Sequence, residues 1–270
     1  MMPTQEHLLN VNISMVCHGL MAHHLLMSNY KMSKLLFLFF ILFLNINNAS
    51  ATDKIHLVSV GIADYPGTSN DLTLPAKDAA SVKWLYEKNS NAVTTILINS
   101  AATKESILSA IRSTFQCSST DDIVVFFFSG HGYKGGFVAY DGYLSYEEVR
   151  QAMSITHCKN KMIFADACFS GKMRQGTTEV KQEHEKSNVM LFLSSRDNET
   201  SIERKDMKNG FFTTCLVSAL RGKADSNRDR TISAKELFKF VSDNVRALSK
   251  NKQHPVMWGH FSDDMPVIVW

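Results

Sequence analysis

Cysteine is scarce in this chain. Five stand among 270 residues, and Cys17 falls early, leaving Cys117, Cys158, Cys168 and Cys215. That is too few to staple a small secreted scaffold, so the fold has to rest on a buried apolar core. A strong charge of either sign is also missing. The net charge is +3 and no dense Lys/Arg stripe exists, which argues against a nucleic-acid partner. Long apolar runs are absent too. The longest, "LLFLFFILFLNI", is only about a dozen residues, short of the ~20 that span a bilayer. Neither an internal repeat nor a low-complexity tract is present.

The short apolar run has a different reading. Lys31 and Lys34 precede it, and Ala49-Ser50-Ala51 follows it as a small-residue cleavage site. This is the layout of a signal peptide over about residues 32–51, with Met32 as a second candidate start. Residues 1–51 are therefore expected to be a pre-sequence, and the mature chain to begin near Thr52. Export without a stable membrane span follows, to the periplasm or the outside. An oxidising compartment would allow a Cys117–Cys158 disulfide, since each stands shortly before an expected strand.

From His56 onward, apolar runs alternate with helical patterns. Strands are expected over 56–65, 94–99, 122–130, 161–171, 188–195 and 265–270. Helices are expected over 75–89, with Pro75 near its start, and over 103–115, capped by Thr103. Three more are expected over 145–153, capped by Ser145, over 210–222, ending at Gly222, and over 233–249. Continuous apolar strands interleaved with amphipathic helices mean a mostly parallel sheet covered on both faces, a three-layer α/β/α sandwich spanning 52–270. Ligands in such sheets bind at the carboxyl ends of the strands.

Two strand ends stand out. "DIVVFFFSG" runs into His131-Gly132, and "KMIFADACFSG" carries Cys168 at its end. Alone, the cysteine reads as a small buried hydrophobe and the histidine as a loop residue. Together, at matching strand ends and beside glycines, they form the arrangement nucleophilic catalysis needs. A thiolate attacks a carbonyl carbon and an imidazole protonates the leaving amine. The backbone N–H groups of Gly132 and Cys168 are the expected oxyanion donors. Asp166, two residues before Cys168, shares its face of the strand. It reads as a structural carboxylate, as an orienter of His131, or as an anion in a substrate pocket.

"FFFSGHG" followed by "DACFSG" resembles the caspase-like, metacaspase-type cysteine peptidases. "GIADYPG…DLTLPAKDAA", "GKADSNRDRTISAKELFKFV" and "HPVMWGHFSDDMP" extend the resemblance over nearly all of the chain after residue 55. Phe169 stands where metacaspases usually have His, and Pro75 where Ala or Cys is usual. The resemblance implies a caspase-like fold and a cysteine endopeptidase with Cys168 as nucleophile and His131 as general acid/base. It also implies a pocket for a P1 Arg or Lys built from Asp166, Asp78 and Ser129. Asp78 reads equally as a first-turn helix charge. The substrates implied are proteins or peptides, and no cofactor is needed for the chemistry. The polar segment 171–187, with Lys172, Arg174, Lys181 and Lys186, is the expected self-cleavage loop. The competing reading is a catalytically silent caspase-fold binding module.

"DSNRDRTISAKE" follows the calcium-loop template, with Asp225, Asn227, Asp229 and Glu236 as candidate ligands. Arg230 stands where the template wants glycine. The alternative is an Asp/Asn-rich turn whose Ser233 caps the next helix.

Overall fold

The computed structural model describes residues 54–88, 91–133, 135–167, 189–195 and 208–269, all within one compact unit, Asp53–Trp270. The expected leader, Cys168 and the 171–187 segment lie outside the described residues.

Six strands form the central sheet: β1 (Ile55–Gly61), β2 (Ala92–Ile98), β3 (Ile123–Gly130), β7 (Asn160–Ala167), β8 (Val189–Leu193) and β10 (Val256–Trp258). Their order across the sheet is β10-β8-β7-β3-β1-β2. All neighbours pair parallel except β10, which runs antiparallel to β8. β3 is flanked on both edges and covered on both faces, so all eight of its residues are buried. That is why "IVVFFFSG" reads as an unbroken apolar run and not as an alternation.

Alternate residues along the strands feed two separate cores. Leu57, Val125, Phe127, Phe164 and Phe192 pack against α1 (Pro75–Glu87), α4 (Phe211–Ser218) and α5 (Ala234–Leu248). Val58, Val60, Phe126, Phe128 and Ile163 pack against α2 (Lys104–Phe115) and α3 (Tyr146–Met153). The result is the three-layer α/β/α sandwich expected. Local sequence fixes the helix starts. The Thr103 side chain accepts from the Ser106 N–H, and Ser145/Glu148 and Ser233/Glu236 form reciprocal capping boxes.

Some elements differ from the sequence expectation. Between β3 and α3 the chain makes a small three-stranded antiparallel sheet: β4 (Gly132–Tyr133), β5 (Gly136–Ala139) and β6 (Gly142–Ser145). Its strands hold two to four residues each, too short to leave a period. The closing strand β11 (Pro266–Val269) does not join the main sheet; it pairs antiparallel with β9 (Thr231–Ser233). The helix expected to reach Gly222 is α-helical only to Ser218, and a π-helical turn follows over Ala219–Lys223, with Gly222 at φ 99°. Cys117 and Cys158 are both free thiols, contrary to the expected disulfide. Cys158 is turned inward and donates to the Asp122 carbonyl at 2.7 Å, whereas Cys117 is exposed.

Candidate active site

β3 and β7 are neighbours, and their pairing ends with Gly130 opposite Ala167. His131 is the next residue of one strand and Cys168 the next of the other. The carboxyl ends of these two strands are therefore where the expected groups arise. Cys168 itself lies outside the described residues.

His131 is held from three directions. Its backbone N–H donates to the Tyr65 hydroxyl at 2.9 Å, and its carbonyl accepts from the Val138 N–H at 2.9 Å. Its ring Nε2 lies 2.8 Å from the Asn70 carbonyl oxygen. A carbonyl only accepts, so the proton sits on Nε2, and Nδ1 is the nitrogen left to exchange a proton. Tyr65 donates onward to the Val138 carbonyl at 3.0 Å, and its ring stands 4.8 Å from the imidazole between centroids. Burial pushes the Tyr65 phenol well above its ordinary value, which keeps it a donor. Gly130 is required here by space: a Cβ on it would come within 2.6 Å of the Tyr65 hydroxyl oxygen. Gly132, the expected oxyanion donor, opens β4 directly after His131.

One step away, two carboxylates meet on the α1/α4 side of the sheet. Ser129 and Asp166 are paired in register across β3 and β7. The Ser129 hydroxyl donates to Asp78 Oδ2 at 2.9 Å. Asp78 Oδ1 accepts from Asn209 Nδ2 at 2.8 Å and from the Gly210 N–H at 3.1 Å. Asp166 Oδ2 accepts from the Thr213 N–H at 3.1 Å and the Thr213 hydroxyl at 2.8 Å. Gly210 and Thr213 begin α4, whose own N-cap makes no side-chain bond. The two acids thus serve the free N–H groups of that helix end, where its dipole favours negative charge.

Exposure separates the two acids. Asp166 is 7% exposed and Asp78 only 2%. Burial first, and the Asp166 charge second, push the Asp78 carboxyl up to about 8, against the pull of its three donors. Burial, with Asp166 nearby, also pushes the Cys215 thiol up to about 12, so that thiol is inert packing. The structure thus brings Asp166, Asp78 and Ser129 together in one cluster. Asn209, Gly210 and Thr213 complete the cluster. Only the "NG" before an apolar helix hinted at them.

A second histidine and cysteine, His56 and Cys158, belong to the opposite edge. His56 Nε2 is 3.1 Å from Asp122 Oδ2 and its Nδ1 is 3.0 Å from the Thr114 carbonyl. Cys158 is buried, which pushes its thiol up to about 11. They tie the amino ends of β1, β3 and β7 together, away from the carboxyl ends where parallel sheets bind ligands.

The four candidate calcium ligands lie in one loop, where each has hydrogen bonds of its own. Glu236 Oε1 accepts from the Ser226 N–H and hydroxyl, and its Oε2 from those of Ser233. Asp229 pairs with Asn227, while Asp225 Oδ2 accepts from the Arg230 N–H at 3.1 Å. Arg230 itself adopts φ 67°, the left-handed conformation for which the template wants glycine. Among the described residues, no group of three or more His, Cys, Asp or Glu is placed to hold a metal ion. Glu236 also takes part in the capping box of α5, and Asp225 Oδ1 is buried without a hydrogen-bond partner among the described residues.

Comparison with known proteins agrees with this architecture. No curated protein gives a significant match. The crystal structure of protein GSU0716 from Geobacter sulfurreducens is similar in fold, with a TM-score of 0.56 at 16% identity over 77% of this chain and 94% of that one. The sequence profile of the caspase domain matches residues 56–265. A match that runs from β1 to the residue before β11 covers most of the chain, and the chain belongs to the caspase-domain family.

Proposed function

We propose that this protein is a cysteine endopeptidase that cuts peptide bonds after Arg or Lys. The observation that carries the reading is an imidazole anchored at the end of β3, next to the strand that leads into Cys168, with two buried carboxylates meeting where Ser129 and Asp166 pair across the same two strands. His131 Nδ1 takes the Cys168 proton, and the thiolate attacks the scissile carbonyl carbon. The Gly132 and Cys168 N–H groups stabilise the oxyanion. The imidazolium then returns the proton to the leaving amine. Water, deprotonated by His131, splits the thioester and regenerates the thiol.

The specificity reading follows from charge. A P1 Arg or Lys is a cation, and a site holding Asp166 and Asp78 together favours a cation over the acidic P1 of caspases proper. Ser129 holds Asp78 in place. The substrates are proteins or peptides. The chain is exported after removal of its leader, and it processes itself within 171–187.

An arginyl chloromethylketone tests the assignment. It should alkylate Cys168 with loss of chloride, seen as a mass shift on that peptide alone. Cys168→Ala should not be labelled, and an aspartyl analogue should label the wild type far more slowly. Equal labelling by both reagents would reject the cationic pocket. No labelling by either would favour a silent binding module.

A further inference from the structure

The last peptide before Cys168 is gripped by a side chain. The regular β7–β8 pairing stops at Ala165 opposite Leu193. One residue on, the Ser194 N–H still donates to the Ala165 carbonyl at 2.9 Å. The Ser194 hydroxyl then does what the next strand residue would do. It accepts from the Ala167 N–H at 3.3 Å and donates to the Ala167 carbonyl at 3.1 Å. A hydroxyl has one proton and free lone pairs, so it can serve both groups at once.

Ser194 is itself braced. Its carbonyl accepts from Gln253 Nε2 at 2.9 Å, and the Gln253 N–H donates to the Ser249 hydroxyl at 3.0 Å. Ser194 and Gln253 are fully buried, at 0% exposure. A glutamine closed to solvent is unusual unless its amide is employed. The chain runs from α5 through Gln253 and Ser194 to Ala167, where β7 hands over to Cys168.

We infer that Ser194, braced by Gln253, is a positioning residue for the nucleophile: its hydroxyl grips both polar groups of Ala167, the residue bonded to Cys168. The inference rests on reading Cys168 as the nucleophile. Misplacing reacting atoms by about 1 Å can cost about a hundredfold in rate, so a hydroxyl that holds the residue just before Cys168 sits at a sensitive point. Binding of P1 depends on Asp166 and Asp78, which face α1 and α4, so it should change little.

Ser194→Ala and Ser194→Thr in the full chain test this. Cleavage of an arginyl peptide gives kcat and KM. Alkylation of Cys168 by iodoacetamide across pH 5–9 reports the thiol without requiring peptidase activity. Ser194→Ala should lose at least tenfold in kcat with KM within twofold, alkylate Cys168 more slowly, and shift the midpoint of the alkylation profile. Ser194→Thr, which keeps the hydroxyl, should recover most of both. A lower Tm with unchanged kcat and an unchanged alkylation profile would overturn the inference and leave Ser194 an ordinary strand-end hydrogen bond. Should Ser194→Ala not fold, Gln253→Met decides in the same assays: a threefold or larger fall in kcat at constant KM supports the brace, and none overturns it. Failure of the peptidase reading shows separately, as cleavage that survives Cys168→Ala.

Discussion

Replacing Asp166 by Asn removes one charge and keeps an oxygen in place. Asp166 Oδ2 is the acceptor for the Thr213 N–H and hydroxyl, and an Asn amide oxygen can accept both. The helix end therefore stays satisfied. Stability should move by no more than about 1 kcal/mol, the size of one lost attraction to the α4 dipole. The substrate feels the change far more. A buried P1 cation that loses the Asp166 charge is left without that partner, at a cost of roughly 2–5 kcal/mol. At about 1.4 kcal/mol per factor of ten, kcat/KM for an arginyl peptide should fall about thirtyfold to several thousandfold. Steady-state cleavage of a fluorogenic arginyl peptide measures this, with iodoacetamide labelling of Cys168 as a control that should be unchanged. A wild-type rate for the Asn variant would refute the reasoning. Asp166 would then be only the acceptor that starts α4.

Further outcomes follow from the same geometry. The Asp78 carboxyl is pushed up to about 8, from ~3.9 in an unfolded chain. Between those values the unfolded chain releases a proton that the folded one retains. Stability should therefore fall by a few kcal/mol as pH rises through that window and level off above about 8. Urea unfolding at several pH values should show the slope in wild type and its loss in Asp78→Asn. Ionising the same carboxyl favours a cation, so KM for an arginyl peptide should decrease as pH rises through about 8. Tyr65→Phe removes the acceptor for the His131 N–H and the donor to Val138. It should cost about 1–3 kcal/mol in denaturant unfolding and lower kcat. Under native conditions a thiol reagent should modify the exposed Cys117 but spare Cys158 and Cys215 until the chain unfolds, and the intact mass should show no Cys117–Cys158 bond.

Long unbroken apolar strands and clear caps made the layers readable from sequence. Ile123–Gly130 had to be central because nothing in it was polar enough to face water, and Thr103, Ser145 and Ser233 marked helix starts through their own side chains. Strand ends alone also bring His131 and the Cys168 strand together, because β3 and β7 are neighbours. What sequence could not show were contacts between residues far apart in the chain. Asn70 meets His131 across 61 positions, and Asn209 meets Asp78 across 131. Neither residue breaks a period or forms a motif. The antiparallel additions β9, β10 and β4–β6 were hidden because strands of two to four residues carry no usable alternation.

The central claim is that Cys168 and His131 cut after basic residues. Purified wild type, Cys168→Ala and His131→Ala should be compared on two peptides identical except for Arg or Asp at P1. Rapid cleavage of the arginyl peptide by wild type alone, after the Arg, with the aspartyl peptide left intact, is the result the account predicts. Cleavage that persists in Cys168→Ala, or a wild type that prefers the aspartyl peptide, would contradict it.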